Sequence, residues 1–524
     1  MNRNNLKDMK NLKIYFLLIL AGALISSCDD FLDVKNNTLL DRDTYFQTDL
    51  DLMRMLSASY SNMADVRLYA NHYWRQRALL TNDVFTIETE DDLAGNYNFN
   101  FREDSKELRG IWSSLYKGIR RANTVIKERP ETIQDSLLIK RAKAEAKLLR
   151  ANYYFTLIMQ WDFVPFRDEH NMDLFTVPQF TREEILDFVQ LELKEIIAEK
   201  SLPNSYSGKV NEEQGRVTMW FAKGLLAKSY LFFDEPEKAQ PLFKDIIENG
   251  GFVLMQNAED IMNVNNRFSP ENLFEVLYDH QVGGPLFWFD DGLNASEGTQ
   301  RNVYLEAMVQ DGNDPDKIGG YQNLRPTDDL INTFEPGDFR LTAFIRQKGD
   351  TLYYRNPRII GGEVGDYVIS TSDDPVIAKG LTSKANNPAG NDESFPVMRL
   401  ADIYLMYAES LIGSNEAEAM RYIDLVRDRA FYSPIDQEVR PHLSTQELVN
   451  GGKSLMQVIK DERRKELCFE GHRYNDLRRW GDLNTIVSKI DGESRYIEGR
   501  AFYPVPQQEI DKSGGVLIQS PNYK

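Results

Sequence analysis

Residues 461–481 hold the densest run of side chains able to do acid–base work: Asp461-Glu462-Arg463-Arg464-Lys465-Glu466-Leu467-Cys468-Phe469-Glu470-Gly471-His472-Arg473-Tyr474-Asn475-Asp476-Leu477-Arg478-Arg479-Trp480-Gly481. Two carboxyl groups facing each other across a cleft, one of them kept protonated, could cleave a glycosidic bond. The spacing favours another reading. Glu462, Arg463, Glu466, Glu470 and Arg473 fall three or four residues apart, as ion pairs on a helix face do, so the block is expected to be structural. Other chemical signatures each fail on a required residue. Gly452-Lys453-Ser454 ends like a phosphate loop, but the glycine needed five residues before Gly452 is Glu447. Asp314-Pro315-Asp316 with Gly319 outlines part of a calcium loop, with Ile318 where a ligand belongs. His72, His170, His280, His442 and His472 are scattered, and no His-Glu-x-x-His, Cys-x-x-Cys or Gly-x-Ser-x-Gly occurs. No cofactor is expected, and calcium has no support.

Cys28 offers a different chemistry. Lys7, Lys10 and Lys13 precede an apolar run from Ile14 to Ile25, and Ser26-Ser27-Cys28 closes it. A cationic start, a short apolar segment and small residues at a cut site make a secretory signal. The run is shorter than the roughly 20 residues that span a bilayer. Ile25-Ser26-Ser27-Cys28 resembles a bacterial lipobox, whose cysteine becomes the lipid-modified first residue of the mature chain. Each buried methylene adds about 0.8 kcal/mol, so several acyl chains anchor stably. The second cysteine, Cys468, sits between Leu467 and Phe469 and is expected to be a buried, inert thiol. Asp and Glu number 81 against 62 Lys and Arg, a net charge of −19. Such an acidic body argues against nucleic acid, because phosphate binding needs basic patches.

Sugar rings present apolar C–H faces that stack on flat aromatic side chains, while neighbouring polar groups bond the hydroxyls. Two segments offer this combination. The first runs from Tyr69 to Arg77, with Asn82, Asp83 and Asn96–Phe101 beyond. Its candidates are Tyr73, Trp74, Arg77, Tyr97 and Asn98, with a core position at least as expected for Tyr73 and Trp74. The second is Gly283-Gly284-Pro285-Leu286-Phe287-Trp288-Phe289-Asp290-Asp291, followed by Tyr304, Tyr321 and Asn323. Flanked by turn-forming residues and acids, Trp288 is expected to be exposed, with Phe287, Phe289, Tyr304 and Tyr321 beside it.

Helices must position these groups. Trp112, Leu115, Tyr116 and Ile119 recur at helical spacing, as do Ala142, Ala146, Leu149, Tyr153 and Leu157, and Ile185, Phe188, Val189, Leu193 and Ile196. Trp220–Phe233 reads as one helix, broken by Asp234-Glu235 and restarted at Pro236. The restarted helix turns Ala239, Leu242, Phe243, Ile246 and Ile247 inward and stops at Asn249-Gly250-Gly251. Leu400–Leu411, Gly413-Ser414-Asn415 and Glu416–Ala430 repeat the design. Such pairs are the unit of tetratricopeptide-like stacks, although no strict 34-residue repeat is visible. Residues 250–395 differ: Gly, Pro, Asn and Asp are dense, helical periodicity fades, and short strands are expected within 268–276 and 361–369. Long irregular segments on a rigid scaffold often carry function.

The chain resembles the SusD/RagB family along nearly all of its mature length. The matching blocks are Trp112–Ile119 with Ala122-Asn123, Ala144–Phe155 leading to Trp161 and Pro165, Gly215-Arg216-Val217-Thr218 with Leu226–Leu231, Asp338-Phe339-Arg340, Arg399–Glu409, Asp461–Gly481 and Tyr503-Pro504-Val505-Pro506. The resemblance implies a mainly α fold of tetratricopeptide-like helix pairs with an irregular, loop-rich lobe. It implies a lipoprotein of the outer membrane that binds a glycan, or in some members a peptide or glycopeptide. It also implies delivery to a SusC-like TonB-dependent transporter, without catalysis. Asp29-Asp30 resembles a surface-export tag. The expected organisation is a signal over 1–27, a lipidated tether over 28–45, a helical region over 46–250, and a region over 251–524 that carries the ligand lobe and forms one unit with the helices. The rival readings are a surface glycosidase and a scaffold that grips partner proteins.

Overall fold

A computed structural model describes residues 48–87, 91–128, 135–174, 176–206, 213–263, 266–278, 323–347, 351–354, 365–368, 374–380, 393–487 and 495–523. Cys28, Phe287, Trp288, Phe289, Tyr304, Tyr321 and the Asp314–Gly319 segment lie outside the described residues.

Eleven helices named here carry the architecture: α1 (Asp49–Ser61), α2 (His72–Leu79), α3 (Lys106–Lys127), α4 (Ser136–Ile158), α5 (Arg182–Glu199), α6 (Met219–Phe232), α7 (Pro236–Asn249), α8 (Leu400–Ser410), α9 (Glu416–Ala430), α10 (Leu455–Leu467) and α11 (Arg473–Arg479). Their starts are written in the sequence. Thr48 and Thr181 close capping boxes with Asp51 and Glu184, satisfying N–H groups that a helix leaves orphaned at its first turn. Ser105, Asp135, Asn415 and Ser454 accept from the first-turn amides of α3, α4, α9 and α10.

The apolar stripes face inward. Trp112, Leu115 and Ile119 of α3 are buried, as are Ala142, Ala146, Leu149, Tyr153 and Leu157 of α4. These two helices approach closely at Gly118, where a Cβ would lie 2.5 Å from the Tyr153 ring. Between α6 and α7 the chain turns at Asp234, whose φ is +65°, and Pro236 opens the second helix. Ala239, Phe243 and Ile246 of α7 are buried, while Leu242 and Ile247 are only half-buried. Each helix packs on the next: α3 on α4, α4 on α5, α5 on α6, α6 on α7, α7 on α8, α8 on α9, with α10 against α8 and α9. The result is a continuous stack of helix pairs of the tetratricopeptide-like kind.

Strands are short, and those among the described residues pair two by two in antiparallel ladders. β1 (Val84–Thr86) pairs with β3 (Leu324–Pro326), and β2 (Asn272–Val276) with β4 (Phe395–Arg399). Gly365–Val368 pairs with Thr351–Tyr354, so both strand expectations of the loop-rich region correspond to strands. The end of the chain returns to the start of the stack. Trp161 Nε1 donates to Pro504 O at 2.9 Å, and the Tyr503 amide donates to Gln160 O at 2.8 Å. Thr48–Lys524 forms one contact unit.

Candidate functional site

The acid–base block is a buried ionic lattice. Arg340 donates to Asp338, to Glu462 at 2.6 Å and to Glu466 at 3.1 Å. Arg399 reaches Glu271 at 2.7 Å, Glu466 at 2.6 Å and Glu470 at 2.7 Å. Arg429 also binds Glu466, and Lys379 binds Glu470. The expected pairs along one helix face need correction. α10 ends at Leu467, and Phe469 and Gly471 adopt positive φ, so Glu470 and Arg473 leave the helix of Glu462. Apart from Lys465, three residues beyond Glu462 on the same helix, the partners come from distant segments. Burial works against the charges of Glu462 and Glu470, but Arg340, Lys465 and Arg427 on one, and Arg399 and Lys379 on the other, hold both down at about 2. A proton donor at neutral pH needs the opposite shift. Arg463, between Asp402 and Asp476, holds a second buried network that also takes in Lys228 and Arg479. Cys468 is buried, its Sγ–H donates to Lys465 O, and burial pushes its thiol up to about 12.

The first aromatic cluster also needs correction. Trp74 is 1% exposed and Arg77 0%, so neither offers a surface to a ligand. α2 is enclosed on two sides. Arg75 and Gln76 both bind Glu107 of α3, and the Arg77 guanidinium lies over the Tyr474 ring of α11 at 4.8 Å. Tyr73 is half-buried beside Tyr69, and the two line a cavity of about 50 Å³ with Asn152, Lys228 and His472. That is room for water rather than a sugar ring, since one water occupies roughly 30 Å³ in the liquid. Tyr97 is half-buried under the Arg495 guanidinium, 3.7 Å from its ring centroid. Asn98 is exposed, and its amide donates to Ala94 O. The cluster is a satellite core with a polar edge, not a platform.

A site absent from the sequence reading opens nearby in the fold. Asn204–Tyr206 after α5, Gln214–Thr218 before α6, Gly250–Phe252 after α7 and Phe268–Glu275 surround a cleft of about 320 Å³. A second cleft of about 230 Å³ adjoins it, sharing Gln214-Gly215-Arg216, Phe274 and Glu275 and reaching Tyr60 and Leu277. The chain carrying Phe287–Phe289 continues from the same strand, beyond Tyr278. Gly215 makes the wall possible: its φ is +87°, and a Cβ there would meet Leu277 at 2.8 Å and Phe268 at 3.3 Å.

Local charges in this wall are matched. Arg216 donates to Glu145 at 3.0 Å and the Tyr60 hydroxyl donates to the same oxygen at 2.6 Å. The Val217 amide donates to Tyr60 Oη and Tyr206 Oη donates to Val217 O, which fixes the loop against α1 and α4. Glu275 is the exception. It is 6% exposed, and its carboxylate accepts from the Phe268 amide and from Asn272 Nδ2, with no guanidinium bound to it among the described residues. Burial pushes it up to about 7, against those two hydrogen bonds. Glu275 is the only carboxylic acid among the described residues lining either cleft, so these residues do not supply the carboxylate pair of a glycosidase. Sequence reasoning missed the site because its four segments share no periodicity; Gly215, inside a matching block, was the one available signal.

Residues 286–523 match the model of the SusD family, and residues 30–231 match a family described as starch-binding, associating with the outer membrane. A SusD-like protein of Formosa agariphila is 24% identical, with 98% of each chain covered. Among solved structures, a laminarin-binding SusD-like protein is 25% identical with a TM-score of 0.71, covering 91% of this chain and 100% of that one. Surface glycan-binding protein A from Bacteroides fluxus is 22% identical with a TM-score of 0.72, again covering 91% of this chain and 100% of that one. This second likeness speaks for the fold.

Proposed function

The chain belongs to the SusD/RagB family, and from that premise we propose that it is a glycan-capturing lipoprotein of the outer-membrane surface. In this reading Cys28 carries the lipid, Asp29-Asp30 marks the chain for display, and a SusC-like TonB-dependent transporter receives the ligand. The protein binds reversibly and alters no covalent bond. The observation that carries the proposal is the shared fold with a laminarin-binding protein over the whole of that protein's length. The ionic lattice supports the absence of catalysis, because its carboxyl groups are held ionised and buried rather than poised to donate a proton. Trp288, with Phe287, Phe289, Tyr304 and Tyr321, is proposed as the stacking platform, on the strength of its sequence setting.

Affinity electrophoresis of the full-length protein in detergent tests this. Gels carry a neutral polysaccharide, a polyuronate or a peptide polymer, with Trp288→Ala run alongside. Retardation by a neutral polysaccharide, lost in the variant, is the expected result. Retardation by the peptide polymer alone would replace glycan with peptide capture, and sugar release from the gel polymer would reinstate the glycosidase. Display is checked separately: protease added to intact cells should digest the protein.

A further inference from the structure

The cleft beside Gly215 combines three features that a purely structural crevice lacks. Its first is an aromatic ring held out at a conformational cost. Phe268 is 42% exposed and sits at φ +58°, a region that bulky side chains rarely adopt. Its amide is fixed by the buried Glu275 below it, so the ring is presented rather than left loose. Phe252 and Tyr206, both half-buried, stand on other walls of the same cleft.

The second feature is a rim of free neutral hydrogen-bonding groups. Asn204, Ser205 and Gln214 are exposed, and among the described residues their side chains make no hydrogen bond. The third is the absence of a free cation among the described residues that line it. Arg216 is engaged by Glu145, and Glu275 is the only acid among the described residues of the lining. The described lining therefore offers an anionic ligand no counter-charge, whereas a ring with hydroxyls around an apolar face finds both kinds of contact in it. The volume of about 320 Å³ lies at the lower end of ligand pockets, a size for one or two sugar units rather than a long chain.

We propose that this cleft is a second saccharide subsite, taking a neutral sugar unit against Phe268 with its hydroxyls bonded by Asn204, Ser205 and Gln214. The inference rests on glycan capture as the chain's function and adds a contact apart from Trp288.

The test uses the full-length protein in detergent, with Phe268→Ala, Gln214→Ala and Trp288→Ala compared on gels containing a neutral polysaccharide, a polyuronate or a peptide polymer. Phe268 and Gln214 are exposed, so folding is expected to persist, and equal melting temperatures verify it. Phe268→Ala should weaken binding of the neutral polymer by about fivefold or more, and Gln214→Ala by a smaller factor, as expected when an anchoring aromatic and a rim polar group are removed. Unchanged binding in both cleft variants, with loss in Trp288→Ala, would overturn the subsite and leave glycan capture intact. Wild-type retardation by the polyuronate alone would overturn the neutral class. Wild-type binding to peptide alone would overturn the subsite together with the reading on which it rests.

Discussion

Arg399 Nη1 lies 2.6 Å from Glu466 Oε1, and both side chains are shut away from solvent. Glu466 also meets Arg340 and Arg429, so one carboxylate serves three guanidinium groups from three segments of the chain. Burial opposes its charge, and the arginines overcome it, holding the carboxyl far below the usual range. Removing that charge leaves buried cations short of a partner, which costs about 3–5 kcal/mol in comparable sites. Glu466→Gln should therefore lower the urea midpoint strongly while leaving the exposed carboxylates untouched. A midpoint equal to that of the wild type would mean that the lattice is not stabilising.

Acid should weaken the protein in two steps. His72 and His472 are held near 4 chiefly by burial, against an ordinary value of 6.5. Unfolded, they bind protons from about pH 6.5 downward; folded, they do not until about pH 4. Their stabilisation is complete above pH 6.5 and is lost as the pH falls through 4. Glu462 and Glu470 follow, with stability present above 4.5 and lost as the pH falls toward 2. Melting temperatures between pH 7 and pH 4 should fall, and His472→Asn should flatten that slope. An unchanged slope in the variant would remove His472 from the account.

Glu275 acts in the opposite direction. Its carboxyl is raised to about 7 by burial, so the folded state holds the proton more tightly than the unfolded chain. Its contribution is fully present below pH 4.5 and is lost as the pH rises through 7. Asn272 Oδ1 has no partner among the described residues, and a half-turn of that amide would let it accept the proton of the neutral acid. Glu275→Gln should match the wild type at pH 4 and exceed it above pH 7, by up to about 3 kcal/mol for a shift of this size. Equal stability at both pH values would refute the raised carboxyl.

Thiol labelling separates the two cysteines. Buried Cys468, pushed up to about 12, should resist iodoacetamide in the native protein and react once the chain is unfolded. Protein taken from the producing cell's membrane should then gain one label by mass. A second label would show a free thiol at Cys28 and remove the lipid anchor from the proposal.

The helix stack was legible because its signals are local. Ala142, Ala146, Leu149, Tyr153 and Leu157 repeat along one face, and Pro236 marks a start whatever the rest of the chain does. The ion pairs were not, because carboxylates at helical spacing look alike on a surface and in a core. Glu462 and Glu466 take Arg340 from 122 and 126 residues away. Trp74 and Arg77 misled for the same reason: aromatic and polar residues together describe a glycan platform and a satellite core equally well. Only Tyr474 and Glu107, brought in by the fold, decide between them. The cleft was invisible because its walls come from three loops and the segment leading into β2, whose meeting no local pattern records.

The bond from Trp161 to Pro504 spans 343 residues. The indole N–H of the early helical stack therefore waits for a carbonyl made 343 residues later. Arg464 reaches back in the same way to Asp83, 381 residues earlier. Contacts of such separation are slow to form, since the intervening chain must be closed into a loop before they give any return. The first helix pairs can assemble as they emerge, but the fold locks only when the segment around Pro504 arrives. Until then its helix pairs lack the contacts that tie Trp161 and Asp83 to the later chain.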